Sequence, residues 1–423
     1  MNAKESIKKI IRGLHSGTSL EEAKEQFRKT VGDVSAEDIG RIEQELVREG
    51  LPHHELRRLC DVHLAVMGDA LESQKTDVPP GHPLHTFKEE HKRILDFLDK
   101  LEKTVSEIKE APSREAIDQR LPLLRSVSEH LMEIEKHNER EENVLFPYLE
   151  KQGITEPPAV MWSEHNDLRD MKKELHNLID RAGEMSPQDF ARQVSETSAN
   201  LVRTLSSHIF KENNVLYPMA LQTIPETEWP DIRQQCDELG YCCFTPESAK
   251  EAAGPAVSEP TPAKPTMSQT EESPAAGADR AAPPLVAGDP GATITFPTGA
   301  LTHKQLEWML NTLPLEITFV DKDDVFRYFS GTKDRAFARA RASIGRKVQQ
   351  CHPQKSLDKV NGIIADFRAG RKDSEHFWIH LGEKYLHISY FAVRDAEGEY
   401  LGTLETIQDI APLQQISGDK RMR

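Results

Sequence analysis

Cysteine is scarce in these 423 residues: only Cys60, Cys236, Cys242, Cys243 and Cys351 occur, and no two form a CxxC pair. That argues against a disulfide framework and leaves reduced thiols as the expectation. A basic excess is also missing. Lys and Arg number 54 against 70 Asp and Glu, a net charge of −16. Such a balance excludes a protein that tracks nucleic-acid phosphates or an anionic membrane surface. No apolar run approaches the roughly 18 to 20 residues of a membrane span. The opening "MNAKESIKKIIRGL" holds no apolar segment long enough for a signal peptide. A cytoplasmic protein with neither nucleic acid nor membrane as partner is expected.

The chain is too long for one ordinary core, so two or three domains are expected. Residues 1–76 read as a small helical domain. Ser35 is placed as a helix cap, with Ile39, Ile42 and Leu46 as an apolar stripe and Gly50 and Pro52 as the stop. The breaker cluster "DVPPGHP" ends it. Residues 80–245 then carry four long helical patterns, roughly 84–109, 115–150, 158–182 and 187–221, with short connections. That predicts an all-α antiparallel four-helix bundle. Periodicity vanishes over 250–295, where Pro, Ala, Gly and Ser dominate; a disordered linker is expected. From 300 to 415, two strand patterns, a helical middle and three further strand patterns predict an α+β domain.

One pattern is written twice. "HNEREENVLFP" occupies residues 137–147 and "HIFKENNVLYP" residues 208–218. On a helix, residues four apart share a face, so His137 and Glu141 can reach one point, and so can His208 and Glu212. Upstream, "EEHKRIL" contains His91 and "SEHNDLR" contains His165, 46 and 43 residues before the second histidine of each half. The region therefore reads as two helical hairpins, each with a lone His and a His-x-x-x-Glu. Four imidazoles and two carboxylates suit iron or manganese, and the carboxylates can bridge two ions. Zinc sites usually have four ligands and often use Cys, and calcium and magnesium want oxygen. The competing reading is a duplicated structural hairpin without metal. His130 and His176 lie near the same faces as supporting residues, and Tyr148, Tyr217 and Trp162 read as packing, with a phenol near the ions as the other reading.

These hairpins, with their "LFP" and "LYP" endings, resemble a hemerythrin-like (HHE cation-binding) domain. The resemblance implies a non-haem di-iron cofactor held by His91, His137, Glu141, His165, His208 and Glu212. "GHPLHTFKEEHKRI" leaves the first-helix ligand open between His85 and His91. Six residues apart, the two lie about 240° round the helix, so both do not aim at one site. The internal repeat favours His91, while similar domains often keep the His82/His85 pair. The fourth helix reads His-x-x-x-Glu and not the His-x-x-x-x-Asp of oxygen-carrying hemerythrins. That brings the site closer to bacterial di-iron proteins linked to nitric-oxide stress and iron–sulfur repair.

Residues 1–76 resemble the domain of unknown function 438, which commonly precedes hemerythrin-like domains. Within it, Cys60 and His63 read as a buried thiol and a helix-face histidine. Residues 300–415 resemble a PAS domain, through "LPLEITFVDKDDVFRYFSG" and "FWIHLGEKYLHISYFAVRDAEGEYLGTLETIQDI". Its ligand is unknown. "QQCHPQKSLDKV" sits where some PAS domains hold a haem or flavin, with His352 and Cys351 as candidates, yet "CHP" before a helix also reads as turn and cap. PAS domains often dimerise, so a homodimer is expected. No kinase, cyclase or DNA-binding segment follows, so output through an unknown protein partner or through the domains themselves is expected.

Three functions compete. One is a sensor in which a diatomic gas, an oxidant or the redox state acts on the di-iron bundle and the PAS domain relays it. The second is an enzyme that reduces nitric oxide or repairs iron–sulfur centres. The third is a metal-free adaptor.

Overall fold

The computed structural model of the chain describes residues 78–110, 113–246, 289–332 and 335–419, together with residues 9, 22, 25, 26 and 29. The Ser35 cap, the Cys60/His63 pair and most of the expected linker lie outside the described residues. The chain divides into two compact units, residues 1–256 and 257–423.

The first unit is helical. Helix α1 spans Pro83–Glu110, and α2 spans Arg114–Glu133. Ser113 caps α2 by accepting the Ala116 N–H. A short α3, Glu135–Arg140, runs into a π-helical turn at Glu141–Leu145 and then α4, Phe146–Lys151. Helix α5 spans Glu156–Asp180. Helix α6, Pro187–Lys211, is capped by Ser186 and ends in a second π turn at Glu212–Leu216, continued by α7, Tyr217–Thr223. A further helix, α8, spans Trp229–Leu239. The long helices pack in a closed ring: α1 on α2, α2 on α5, α5 on α6, and α6 on α1. Each turns its apolar stripe inward. Leu101, Leu124, Leu175, Phe190 and Leu201 meet in one buried core. Among the described residues, no helix is long and apolar enough to cross a membrane.

The second unit opens with a hairpin, β1 Thr293–Phe296 and β2 Gly299–Thr302, followed by α9, His303–Thr312. The hairpin begins inside the stretch expected to be linker. Its reason is legible: "TITF" is β-branched and aromatic. The main sheet comprises β3 Glu316–Asp321, β4 Phe326–Phe329, β5 Ser374–Leu381, β6 Lys384–Arg394 and β7 Tyr400–Asp409. Its order is β4-β3-β7-β6-β5, antiparallel throughout. A Cβ on Gly402 would meet the Val320 carbonyl oxygen at 2.3 Å, so the β3–β7 pairing requires glycine there. Helix α10, Gln354–Arg368, crosses β6 and β7 and brings Ile364 onto Val320, Phe326 and Val348.

Candidate metal centre

The two π turns set the centre. Each starts at the glutamate of a repeated stretch, and each closes an i→i+5 bond: Phe146 N–H to Glu141 O, and Tyr217 N–H to Glu212 O. A proline follows in both halves, Pro147 and Pro218. Side-chain amides serve carbonyls one turn back: Asn143 Nδ2 donates to Glu139 O at 2.9 Å, and Asn214 Nδ2 to Phe210 O at 2.8 Å. A π turn inserts one residue into a helix. Here it carries Glu141 and Glu212 into the interior, 0% and 1% exposed.

Six of the seven expected residues converge there. Ligand atoms of Glu141, His165, His208 and Glu212 lie within 4.8 Å of one another, as do those of His91, His137 and Glu212. Glu212 belongs to both groups. Its Oε1 lies 2.7 Å from His208 Nε2 and its Oε2 2.9 Å from His91 Nε2. Glu141 Oε2 lies 3.3 Å from His165 Nε2. Five of these buried atoms make no well-aligned hydrogen bond: His165 Nε2, His208 Nε2, Glu141 Oε2 and both Glu212 oxygens. Apart from these imidazole–carboxylate contacts they have no polar partner among the described residues, and five such atoms aimed at one place match the donor set of a cation that accepts both imidazole and carboxylate.

The seventh residue does not join them. His85 Nε2 lies 4.0 Å from Glu89, partly exposed. Nor does His82: its Nδ1 accepts the Leu84 N–H at 3.1 Å at the start of α1, and its ring packs on Trp229. His130 bonds Ser126 O and packs on Phe97; His176 contacts Ser128 and Asp180; Tyr148 donates to Asp231. Tyr217, in contrast, points into the centre, with its hydroxyl donating to Glu141 Oε1 at 2.8 Å.

Two of the four outer bonds cross between the hairpins, and the helical spacing alone did not predict them. His137 Nδ1 bonds Glu90 and His208 Nδ1 bonds Glu164, each at 2.8 Å and each within its own hairpin. His165 Nδ1 bonds Glu142 at 2.8 Å, and His91 Nδ1 bonds Asn213 at 3.0 Å; Glu142 and Asn213 each follow the opposite hairpin's glutamate. These bonds turn the Nε2 atoms toward the centre. Each outer carboxylate has its own cation: Arg140 for Glu90, Arg169 for Glu142 and Lys211 for Glu164. Their signal was the glutamate before His91 and His165, and the matched Arg140 and Lys211.

Charge at the centre is strongly biased. Burial works against ionised Glu90 and Glu164, yet Arg140 with His137, and His208 with Lys211, bring both down to about 2. Burial likewise opposes charging His208, and Glu212 and Glu164 overcome it, raising its pKa to about 9. His91 and His165 are raised for the same reason, and Glu212 is held well below the usual carboxylate range. Burial and the nearby glutamates raise Tyr217, which keeps its proton.

In the second unit, a cavity of about 170 Å³ lies between the sheet and α10. Val320, Phe326 and Ile364 form its apolar wall, and Arg339, His352 and Glu405 its polar lining. His352 Nδ1 donates to Val348 O at 2.8 Å, which leaves Nε2 as the ring's other polar atom. Cys351 lines the same cavity.

Fold and centre together define a cation-binding helical bundle carried in one chain with an antiparallel-sheet α+β domain. Residues 82–220 match the hemerythrin HHE cation binding domain, residues 7–73 a family of unknown function (DUF438), and residues 306–411 a PAS domain. The chain thus carries a hemerythrin-like domain preceded by DUF438 and followed by PAS. No curated protein matches it. Among solved structures, a C-terminal domain from Streptococcus mutans is 38% identical, covering 30% of this chain and 100% of that one, with a TM-score of 0.30. A sensory box sensor histidine kinase from Vibrio cholerae is 14% identical, covering 25% and 87%, with a TM-score of 0.20. A PAS domain from Colwellia psychrerythraea is 12% identical, covering 26% and 97%, with a TM-score of 0.21.

Proposed function

We propose that the chain is a di-iron sensor of oxygen, nitric oxide or redox state whose PAS domain relays the result. The observation that carries this is Glu212, shared between two groups of buried ligand atoms, most of them without hydrogen bonds. His91 and His137 would hold one ion and His165 and His208 the other, with Glu141 and Glu212 between them. Iron there supplies open coordination positions and a change of oxidation state. The protein's own part is charge and enclosure. Two carboxylates offset the cations, and the Nδ1 bonds fix the four rings. Phe87, Phe146 and Leu145, all fully buried, keep bulk water away.

The PAS domain supports a sensor over a repair enzyme, since repair needs no such module. Its cavity is an expected ligand site, and Trp378, 63% exposed on β5, is an expected contact for a second copy. Iron analysis of protein prepared without oxygen tests the cofactor, with about two ions per chain expected. Stopped-flow mixing of the reduced protein with nitric oxide then tests the role. A stable nitrosyl without turnover supports the sensor, whereas nitrous oxide formation, or iron delivery to an apo-ferredoxin, favours the enzyme. A metal-free product favours the adaptor.

A further inference from the structure

Beside the cation cluster, the chain brings two thiols together at the end of α8. It leaves the helix at Gly240, with φ of 84°, and turns so that Cys242 Sγ lies 3.4 Å from Cys243 Sγ. Both side chains are half-buried, whereas Cys236 is buried, its thiol pushed up to about 12 by that burial. The pair is tied to Glu90. The Cys242 N–H donates to Glu90 Oε1 at 3.3 Å, and Cys243 Sγ donates to Glu90 O at 3.8 Å. Glu90 is also the residue that fixes His137. Within the pair, a hydrogen bond from the Cys242 thiol lowers the pKa of Cys243 and raises that of Cys242. One thiol is thereby readied to attack while its neighbour keeps a proton, the asymmetry that thiol–disulfide exchange uses.

We propose that Cys242 and Cys243 form a reversible vicinal disulfide, a thiol-redox site that acts on the cation centre through Glu90. The co-reactant is a small disulfide, RSSR. Cys243, as thiolate, attacks one sulfur; a protein–SR bond forms, the RS–SR bond breaks and RS⁻ leaves. That RS⁻ takes the Cys242 proton. The Cys242 thiolate then attacks Cys243 Sγ, and the second RS⁻ leaves and takes up the proton Cys243 had released. Two protein thiols are oxidised and RSSR is reduced to two RSH. Adjacent Cα atoms stand about 3.8 Å apart, below the roughly 4.4–6.8 Å usual for a disulfide. The bond is therefore strained and readily reduced, which suits a switch and not a staple. Closing the ring removes the Cys243 S–H that donates to Glu90 O and so loosens the residue that fixes His137. This second half rests on the proposed cation site.

Full-length protein oxidised with glutathione disulfide, alkylated and digested with trypsin tests the first half. Peptide 234–250 is expected to lose two hydrogens and keep one alkylated cysteine. Cys236→Ser leaves that loss in place, and Cys242→Ser or Cys243→Ser abolishes it. Complete alkylation of all three cysteines, a bond to Cys236, or a lasting mixed disulfide with glutathione overturns the proposal. Cobalt(II) titration of reduced and oxidised chains tests the second half. Roughly tenfold weaker binding after oxidation is expected, the scale of losing an outer partner. Equal affinities overturn the coupling and leave the disulfide standing. Absence of cobalt binding in both states overturns the coupling together with the cation reading, while the peptide masses still decide the thiol pair.

Discussion

The Tyr217 hydroxyl reaches Glu141 from the opposite hairpin, 2.8 Å from Oε1. The residue at the matching place in the first hairpin is Phe146, whose ring stacks on His165 but carries no hydroxyl. Six side chains obey the internal repeat, and one phenol oxygen breaks it.

That break predicts two unequal cation steps. The group of Glu141, His165, His208 and Glu212 fills first, since five of its buried atoms make no well-aligned hydrogen bond, while His91 Nε2 contacts His137 Nε2 at 3.2 Å and Tyr217. Tyr217→Phe removes one hydrogen bond from Glu141, a member of that first group, worth about 1 kcal/mol or roughly fivefold in affinity, and widens the gap between the steps. Anaerobic calorimetry with cobalt(II) reads both constants; a variant with an unchanged gap would refute the assignment.

Glu212→Ala should empty both positions, because this carboxylate faces both groups. His91→Ala should spare one. Elemental analysis of the two purified variants, each confirmed as helical by circular dichroism, decides between these outcomes.

Arg140 is buried, and its guanidinium contacts both Glu90 oxygens. Arg140→Gln strands that carboxylate, at an expected cost of about 3–5 kcal/mol. Adding Glu90→Gln should restore most of the loss, as read in urea unfolding. A single variant as stable as the parent would contradict this account.

His82 supplies a pH dependence. Burial, with His85 and Lys88 as lesser causes, lowers its pKa from 6.5 to about 4. Between those values the unfolded chain binds the proton that the folded one refuses. The stability is present above pH 6.5 and is lost as pH falls through 4. Protonation also removes the acceptor that Nδ1 offers to Leu84 N–H. His82→Asn keeps an acceptor there without titrating, so the fall in melting temperature from pH 7 to pH 4.5 should shrink.

The convergence of the six side chains was readable because helix geometry is local: four residues make one turn, and the doubled pattern carried the rest. His82 and His85 were ambiguous for a different reason. Nothing in "GHPLH" states where α1 begins, and only the cap bond and the Trp229 contact give His82 its place. Glu90 and Glu164 before the histidines, with Arg140 and Lys211 before the glutamates, were marked by the repeat, but the bonds of Glu142 to His165 and Asn213 to His91 were out of reach, since they depend on which helices become neighbours. The π turns escaped too, because a one-residue insertion leaves composition and local propensity unchanged. In the second unit all five strands of the main sheet were legible from alternation, while the β1–β2 hairpin was hidden by the Pro-rich text before it.

The inserted residue sits at the same place in both hairpins, so each half-chain already carries a complete share of the centre: two imidazoles, one carboxylate and the turn that aims them. Two copies of a single such hairpin, related by a twofold axis, could assemble the same six-residue set. Joining them in one polypeptide is what allowed the halves to diverge, Phe146 from Tyr217 and Glu142 from Asn213. The tandem form can therefore give its two groups of buried donors separate characters, which a symmetric pair of identical hairpins cannot.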